Sequence, residues 1–261
     1  MLQALIEHGI AADLVVGTSI GAINGAGIAA DPTLEGVARL RSVWLSLDEQ
    51  EMFGGGLFAT ALNAFRSRTH LYSINPLRAM LSEWLPEHFE DLVVEFQCVA
   101  ASIERSAEQW FSSGSLVEPI LASSSVPGLF PPVEIGGEHY IDGGIVNSIP
   151  VRRAFDLGAT TIYVLQVGRI ERKLTVPRLP WEVAQVALEV ARRYRFFADM
   201  ASLPPGVVAH VLPTGAVDPP GQRLRQIDPG LAERRFQLAY QASAEYLDRA
   251  DAGDMRDSVV T

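Results

Sequence analysis

One stretch near the start of the chain constrains it more than any other: Asp13-Leu14-Val15-Val16-Gly17-Thr18-Ser19-Ile20-Gly21-Ala22. An apolar run of strand type meets a glycine, then a serine, then a second glycine and an alanine-rich segment of helical type. A G-x-S-x-G nucleophile elbow needs that strand–turn–helix order, because the sharp turn lifts the serine hydroxyl clear of the backbone. The turn is tight enough that side chains two positions either side of Ser19 are expected to strike neighbouring backbone. Gly17 and Gly21 therefore read as obligatory glycines.

The rest of the chain alternates strand-type and helix-type segments. Met1–His8 reads as a helix, Ala12–Val16 as a buried strand, and Ala22–Ala30 and Leu34–Leu47 as helices parted by Asp31-Pro32. A helix is expected from Pro76 to Trp84, with proline in its first turn. Leu92–Ser102 reads as a core strand with Glu108–Ser112 as its hairpin partner. Leu116–Ser124 reads as a helix stopped ahead of Pro127. Pro131–Ile135 and His139–Ile141 form an expected hairpin around Gly136-Gly137. Pro150–Leu157 (helix), Thr160–Val167 (strand), Trp181–Met200 (helix), Val207–Leu212 (strand) and Gly230–Arg249 (helix) complete the series. Near-continuous apolar strands separated by helices indicate an α/β fold: a three-layer α/β/α sandwich with a mostly parallel central sheet. With no repeat and no convincing linker, residues 1–261 are expected to form one domain.

Charge and cysteine content narrow the function classes. Twenty-one basic against 31 acidic residues leave a net charge of −10, which argues against a nucleic-acid partner. The lone cysteine, Cys98, lies in an apolar run and reads as a buried core thiol, so an oxidising compartment is not required. No apolar run approaches the roughly 18 residues of a spanning helix, and the first residues lack a basic n-region. A cytoplasmic location is the expectation, with any membrane contact peripheral.

A second motif, Tyr140-Ile141-Asp142-Gly143-Gly144, ends a short strand with a carboxylate and two glycines. Alone it reads as a plain hairpin turn; beside a serine elbow it offers a base. Here the chain resembles the patatin-like phospholipases, and their bacterial branch in particular. The resemblance rests on Gly17-Thr18-Ser19-Ile20-Gly21-Ala22, on Val126-Pro127-Gly128-Leu129-Phe130-Pro131-Pro132, and on Asp142-Gly143-Gly144 with Pro150 soon after. It implies a patatin-like fold and a catalytic dyad, with Ser19 as nucleophile and Asp142 as the base that takes its proton. The N–H of Ile20 would donate to the oxyanion, and Gly143 and Gly144 would support the aspartate turn. It implies a lipid ester as substrate, a phospholipid or lysophospholipid met at a membrane surface, and neither metal nor other cofactor. A free aspartate titrates near 4, so this base must be partly desolvated and held within hydrogen-bond reach.

The family pattern also holds a glycine-rich oxyanion loop upstream of the elbow, and no such loop precedes Ser19 here. Losing one oxyanion donor typically costs about 2.7–4 kcal/mol. A chain starting at Met1 is therefore expected to be feeble, with Met1 read as an internal methionine of a longer natural chain. Two alternatives follow: a non-catalytic lipid-binding member of the family, or a Ser–Asp–His esterase in which His210 completes a triad.

Other residues carry blander expectations. His210 lies in an apolar strand and reads as structural, His8 as a helix-capping residue, and His139 has no assigned role. Gly25-x-Gly27-x-x-Ala30 falls inside a helical stretch, so close helix packing explains it better than dinucleotide binding. Ser123-Ser124-Ser125 reads as a polar helix end. Trp181, Phe196, Phe197 and Met200 read as core packing rather than an acyl pocket. Gly54-Gly55-Gly56, between Met52-Phe53 and Leu57-Phe58, fits an apolar flap or a plain surface loop.

Overall fold

The strand Glu95–Ser102 (β2) is buried at every position after its first residue, as an apolar run covered on both faces must be. The structure, a computed structural model, describes residues 1–46, 70–166, 170, 173–215 and 229–252. The Gly54-Gly55-Gly56 segment with its flanking apolar residues lies outside them. Around β2 are arranged β1 (Leu14–Thr18), β3 (Ala107–Phe111), β4 (Val133–Ile135) and β5 (Glu138–Asp142) in one five-stranded sheet. A second, two-stranded sheet pairs β6 (Thr161–Val164) with β7 (Val208–Val211) in parallel.

The pairings are more mixed than a run of βα units suggests. β1 runs parallel to β2, whereas β3 and β5 run antiparallel to it and β4 runs antiparallel to β5. Two tight turns account for the β2–β3 and β4–β5 pairings. The β2–β3 connection and the Gly136-Gly137 turn are too short for a crossover, so each can join only antiparallel strands. Both turn glycines have positive φ, 62° and 84°.

Helices cover both faces. On one side, α2 (Ile20–Ala30), α4 (Asn75–Trp84) and α5 (Val117–Ser123) pack on Phe96, Cys98 and Ala100 of β2. α2 carries little but small and apolar residues and is buried nearly all round, a pattern that marks a central helix. Its glycines allow the close approach: a Cβ at Gly27 would stand 2.6 Å from the Trp84 ring, and one at Gly25 would stand 2.9 Å from Phe96. That is the close packing expected of the Gly25–Ala30 motif.

Alternation turns Gln97 and Val99 to the opposite face. There α6 (Val151–Asp156) docks, with the Arg153 guanidinium bonded to Gln97 Oε1 at 2.8 Å and lying 4.9 Å over the Trp110 ring. α7 (Pro180–Ala201) packs with α6 and β6 through the buried Phe196. α1 (Leu2–Glu7) and α8 (Pro229–Asp251) form a third cluster with Leu212, and α3 (Leu34–Ser46) lies beside α2. The expectation of core packing on α7 is met at Phe196, which is buried, and at Met200, which packs half-buried against the same cluster. Val183, Val190, Tyr194 and Phe197 are exposed, and the Trp181 side chain lies outside the described residues.

Leu81 of α4 is fully buried in the main cluster. Leu81→Ala is expected to cost about 2–5 kcal/mol of unfolding free energy, measured by urea denaturation with an unchanged slope.

Candidate active site

β2 has three neighbours but only two edges, and that is what assembles the site. β3 pairs along Cys98–Ser102 and takes one edge. β1 pairs with residues 95–99 and β5 with 100–102, so these two share the other edge, end to end. β1 runs parallel to β2 and stops at Thr18 opposite Val99. β5 runs antiparallel and stops at Asp142 opposite Ala100. The two chain ends meet head-on, and Ser19 Oγ donates to Asp142 Oδ2 at 2.5 Å.

Ser19 is the N-cap of α2 and adopts φ 56°, ψ −125°. For a residue with a Cβ this backbone costs on the order of 1–3 kcal/mol and persists only when its surroundings hold it. Several contacts do so. The Ser19 carbonyl accepts from the N–H groups of Ala22 (2.8 Å) and Ile23 (3.3 Å). The Ser19 N–H donates to Ser123 Oγ at 2.9 Å, and Thr18 Oγ1 donates to the Asn147 carbonyl at 2.9 Å. A Cβ at Gly17 would stand 2.4 Å from the Gly21 carbonyl oxygen, so this glycine is obligatory. Gly21 departs from expectation: a Cβ there meets nothing within 4 Å among the described residues. The constraint is one-sided because the close approach is made by Gly21's backbone against the face of Gly17.

Asp142 is 7% exposed. Its Oδ1 accepts from the Gly144 N–H at 2.7 Å, and its own N–H donates to the Ser125 carbonyl at 2.9 Å. Burial is the largest influence on its acidity and raises its pKa above the ordinary aspartate range. The Ser19 hydroxyl, the Gly144 N–H and the charge of Arg192 on α7 pull the other way. Gly143 lies against β2, where a Cβ would stand 2.1 Å from the Val99 carbonyl. At Gly144 a Cβ would crowd Asp142 Oδ1 at 2.8 Å.

The Ile20 N–H opens α2 and has no carbonyl partner inside the helix. It points from the positive end of the helix dipole, where an anionic oxygen is favoured. Ser19 itself is half-buried and Ile20 is exposed, so the elbow is open to solvent.

The remaining candidates lie elsewhere. His210, on β7, stacks on Tyr163 with ring centroids 5.0 Å apart, and its Nδ1 is 3.2 Å from the Tyr246 hydroxyl. Burial lowers its pKa. His8 caps α1 with Nδ1 2.7 Å from the Ala4 carbonyl, and His139 pairs with Glu104. Cys98 is buried and its thiol pKa is driven upward by burial. Among the described residues no cluster of His, Cys, Asp or Glu could hold a metal ion, and no helix is long and apolar enough to cross a membrane.

The triple serine is the part that the sequence reading missed. Read as a polar helix end, it instead touches both motifs, Ser123 through its hydroxyl and Ser125 through its carbonyl. Its position directly ahead of Val126-Pro127-Gly128 was the available signal.

A strained serine between a strand and a helix, in contact with a buried carboxylate, defines a nucleophile-elbow protein of the α/β class. Residues 1–155 match the family model for patatin-like phospholipase, and the chain belongs to that family. Among curated relatives, the lysophospholipase NTE1 of Coccidioides immitis is 27% identical over 95% of this chain and 16% of its own length. That of Candida glabrata is 30% identical over 66% of this chain and 10% of its own. The present chain thus spans a small fraction of the relatives it matches. Among solved structures, VipD from Legionella pneumophila matches with a TM-score of 0.42 and 14% identity, over 95% of this chain and 63% of that one.

Raising the folded-state pKa of Asp142 means that the folded protein holds this proton more tightly than the unfolded chain does. The resulting stability is complete below the ordinary aspartate pKa of about 3.9 and is lost as pH rises through the raised value. Asp142→Asn should therefore unfold at a higher temperature than the parent at neutral pH. The gap, read by circular dichroism melts, should close on acidification.

Proposed function

We propose that the chain is a serine acyl hydrolase of lipid carboxylic esters, with Ser19 as nucleophile, Asp142 as base and residues 1–261 forming one hydrolase domain. The observation that carries this reading is the 2.5 Å hydrogen bond from Ser19 Oγ to Asp142 Oδ2 at a strained elbow. Short O–H···O⁻ bonds of this kind are the strong, charge-assisted ones. A raised carboxylate pKa makes Asp142 a better base than a free aspartate.

In the first half-reaction Ser19 Oγ attacks the ester carbonyl carbon and its proton passes to Asp142. The oxyanion forms against the Ile20 N–H. Collapse expels the alcohol, which takes the proton from Asp142 and leaves an acyl-serine. A water then gives its proton to Asp142 and attacks the acyl carbon. The carboxylic acid departs as the proton returns to Ser19.

A dyad fits better than a triad because both Asp142 oxygens have partners, Ser19 and the Gly144 N–H, while His210 is engaged with Tyr163 and Tyr246. Family membership and the relatives' name, lysophospholipase, support a phospholipid or lysophospholipid substrate. So do the apolar side chains around the site. Ile20 and Ile145 are exposed beside Ser19 and Asp142, and α7 presents Val183, Val190, Tyr194 and Phe197 to solvent. Arg192 on that helix bonds the Ser148 hydroxyl beside the Asp142–Gly144 turn and suits a phosphate or a peripheral contact with a membrane surface. A reducing, cytoplasmic setting belongs to this reading and is consistent with the single buried cysteine.

Ser19→Ala should abolish hydrolysis of a lysophospholipid and of a p-nitrophenyl ester, together with fluorophosphonate labelling. Retained turnover would sink the assignment, and absent labelling of the parent would favour a non-catalytic lipid binder. Turnover should also fall on acidification with a midpoint above the ordinary aspartate value of about 3.9, because only ionised Asp142 accepts the proton. His210→Ala should leave the turnover of folded protein within a few-fold of the parent; complete loss would point to the triad.

A further inference from the structure

We infer that Ser123 is a positioning residue for this reaction: its buried hydroxyl holds the N–H of the strained nucleophile Ser19, from the same turn that holds the backbone of Asp142. The inference rests on the proposed roles of Ser19 and Asp142.

Ser123 closes α5 and is fully buried. Its Oγ accepts from the Ser19 N–H at 2.9 Å. On its other side Ser19 is held by α2, whose first-turn N–H groups bond its carbonyl. Those bonds fix the orientation of the peptide that follows Ser19. On the N–H side of the peptide between Thr18 and Ser19, the restraint on the positive φ comes from Ser123.

Two residues on, the Ser125 carbonyl accepts the Asp142 N–H at 2.9 Å, and Ser125 Oγ ties the turn back to the Leu121 carbonyl at 2.8 Å. One rigid turn therefore references both partners of the dyad. The separation of Ser19 Oγ from the carboxylate is set by this turn as well as by the register of β1 and β5 on β2. The middle residue does none of this: Ser124 is buried and its Oγ has no hydrogen-bond partner among the described residues. Neighbouring hydroxyls of equal chemistry thus differ in one respect, contact with the elbow.

With the Ser123 hydroxyl removed, the Ser19 N–H faces a buried space without an acceptor and φ can relax toward negative values. Oγ then leaves the position from which its proton reaches Asp142. Sub-ångström to ångström displacements of a reacting group reduce rate by up to about 100-fold without altering substrate affinity.

The test compares Ser123→Ala and Ser124→Ala with the parent chain on a p-nitrophenyl ester and a fluorophosphonate probe. Ser19→Ala is measured first. If it retains turnover, the nucleophile assignment itself fails, whatever Ser123 does. Given loss in Ser19→Ala, Ser123→Ala should lower kcat and the labelling rate about 10- to 100-fold. KM should not move, any shift of the acidic midpoint should be upward as Asp142 loses the Ser19 hydrogen bond, and Ser124→Ala should retain parental kcat.

Parental kcat in Ser123→Ala overturns the inference, and so does an equal loss in both variants, which would mark a packing effect of the turn. A change confined to KM or to the acidic midpoint also overturns it, in favour of substrate contact or proton relay. If Ser123→Ala does not fold, Ser123→Cys, which fills the space with a slightly larger and weaker acceptor, is read by the same criteria. Backbone amide exchange supplies a readout independent of turnover. The Ser19 amide should be protected in the parent and lose protection in Ser123→Ala; an unprotected parental amide overturns the assignment.

Discussion

The site depends on how the edge of one buried strand is divided. β2 offers its first half to β1 and its second half to β5, and the opposite directions of those strands bring their ends together. A strand edge is a row of backbone donors and acceptors at fixed spacing. The meeting point is therefore specified to within a residue: Thr18 lies opposite Val99, and Asp142 opposite Ala100. A slip of one residue in either pairing would turn Ser19 or Asp142 to the wrong face.

Local strain is then held by several small restraints rather than by one strong one. The unfavourable φ of Ser19 is fixed by helix bonds to its carbonyl, by Ser123 on its N–H, and by the Gly17–Gly21 approach. Asp142 is desolvated but not orphaned, since Gly144 and Ser19 occupy its two oxygens. A carboxylate kept this way binds its proton more readily than one in water, which is what the proposed role of base asks of it. The expense in stability is a familiar one for a reactive site.

Much of the site was legible because it is local. The elbow is a strand, a tight turn and a helix within ten residues, and Asp142-Gly143-Gly144 is a strand end whose glycines both face crowding. Gly143 is needed against Val99, a residue of another strand, so its reason was invisible until the fold was built. Gly21 shows the converse: the spacing suggested a steric need, yet its Cβ position is open. Helix α7 was read as core from its apolar content. Apolar composition cannot say which face a helix buries, and among the described residues Phe196 faces inward while Val183, Val190, Tyr194 and Phe197 face out.

The sequence by itself determined the element types, the nucleophile-elbow turn, the aspartate turn and the family resemblance, because each is written in adjacent residues whose backbone demands are short-ranged. Only the tertiary structure decided that β1 and β5 share an edge of β2, that both ends of the Ser19 backbone are held, and that Ser123 rather than Ser124 touches the elbow. Those facts depend on pairings between segments far apart in the chain, and no local pattern of residues encodes which edge a strand will take.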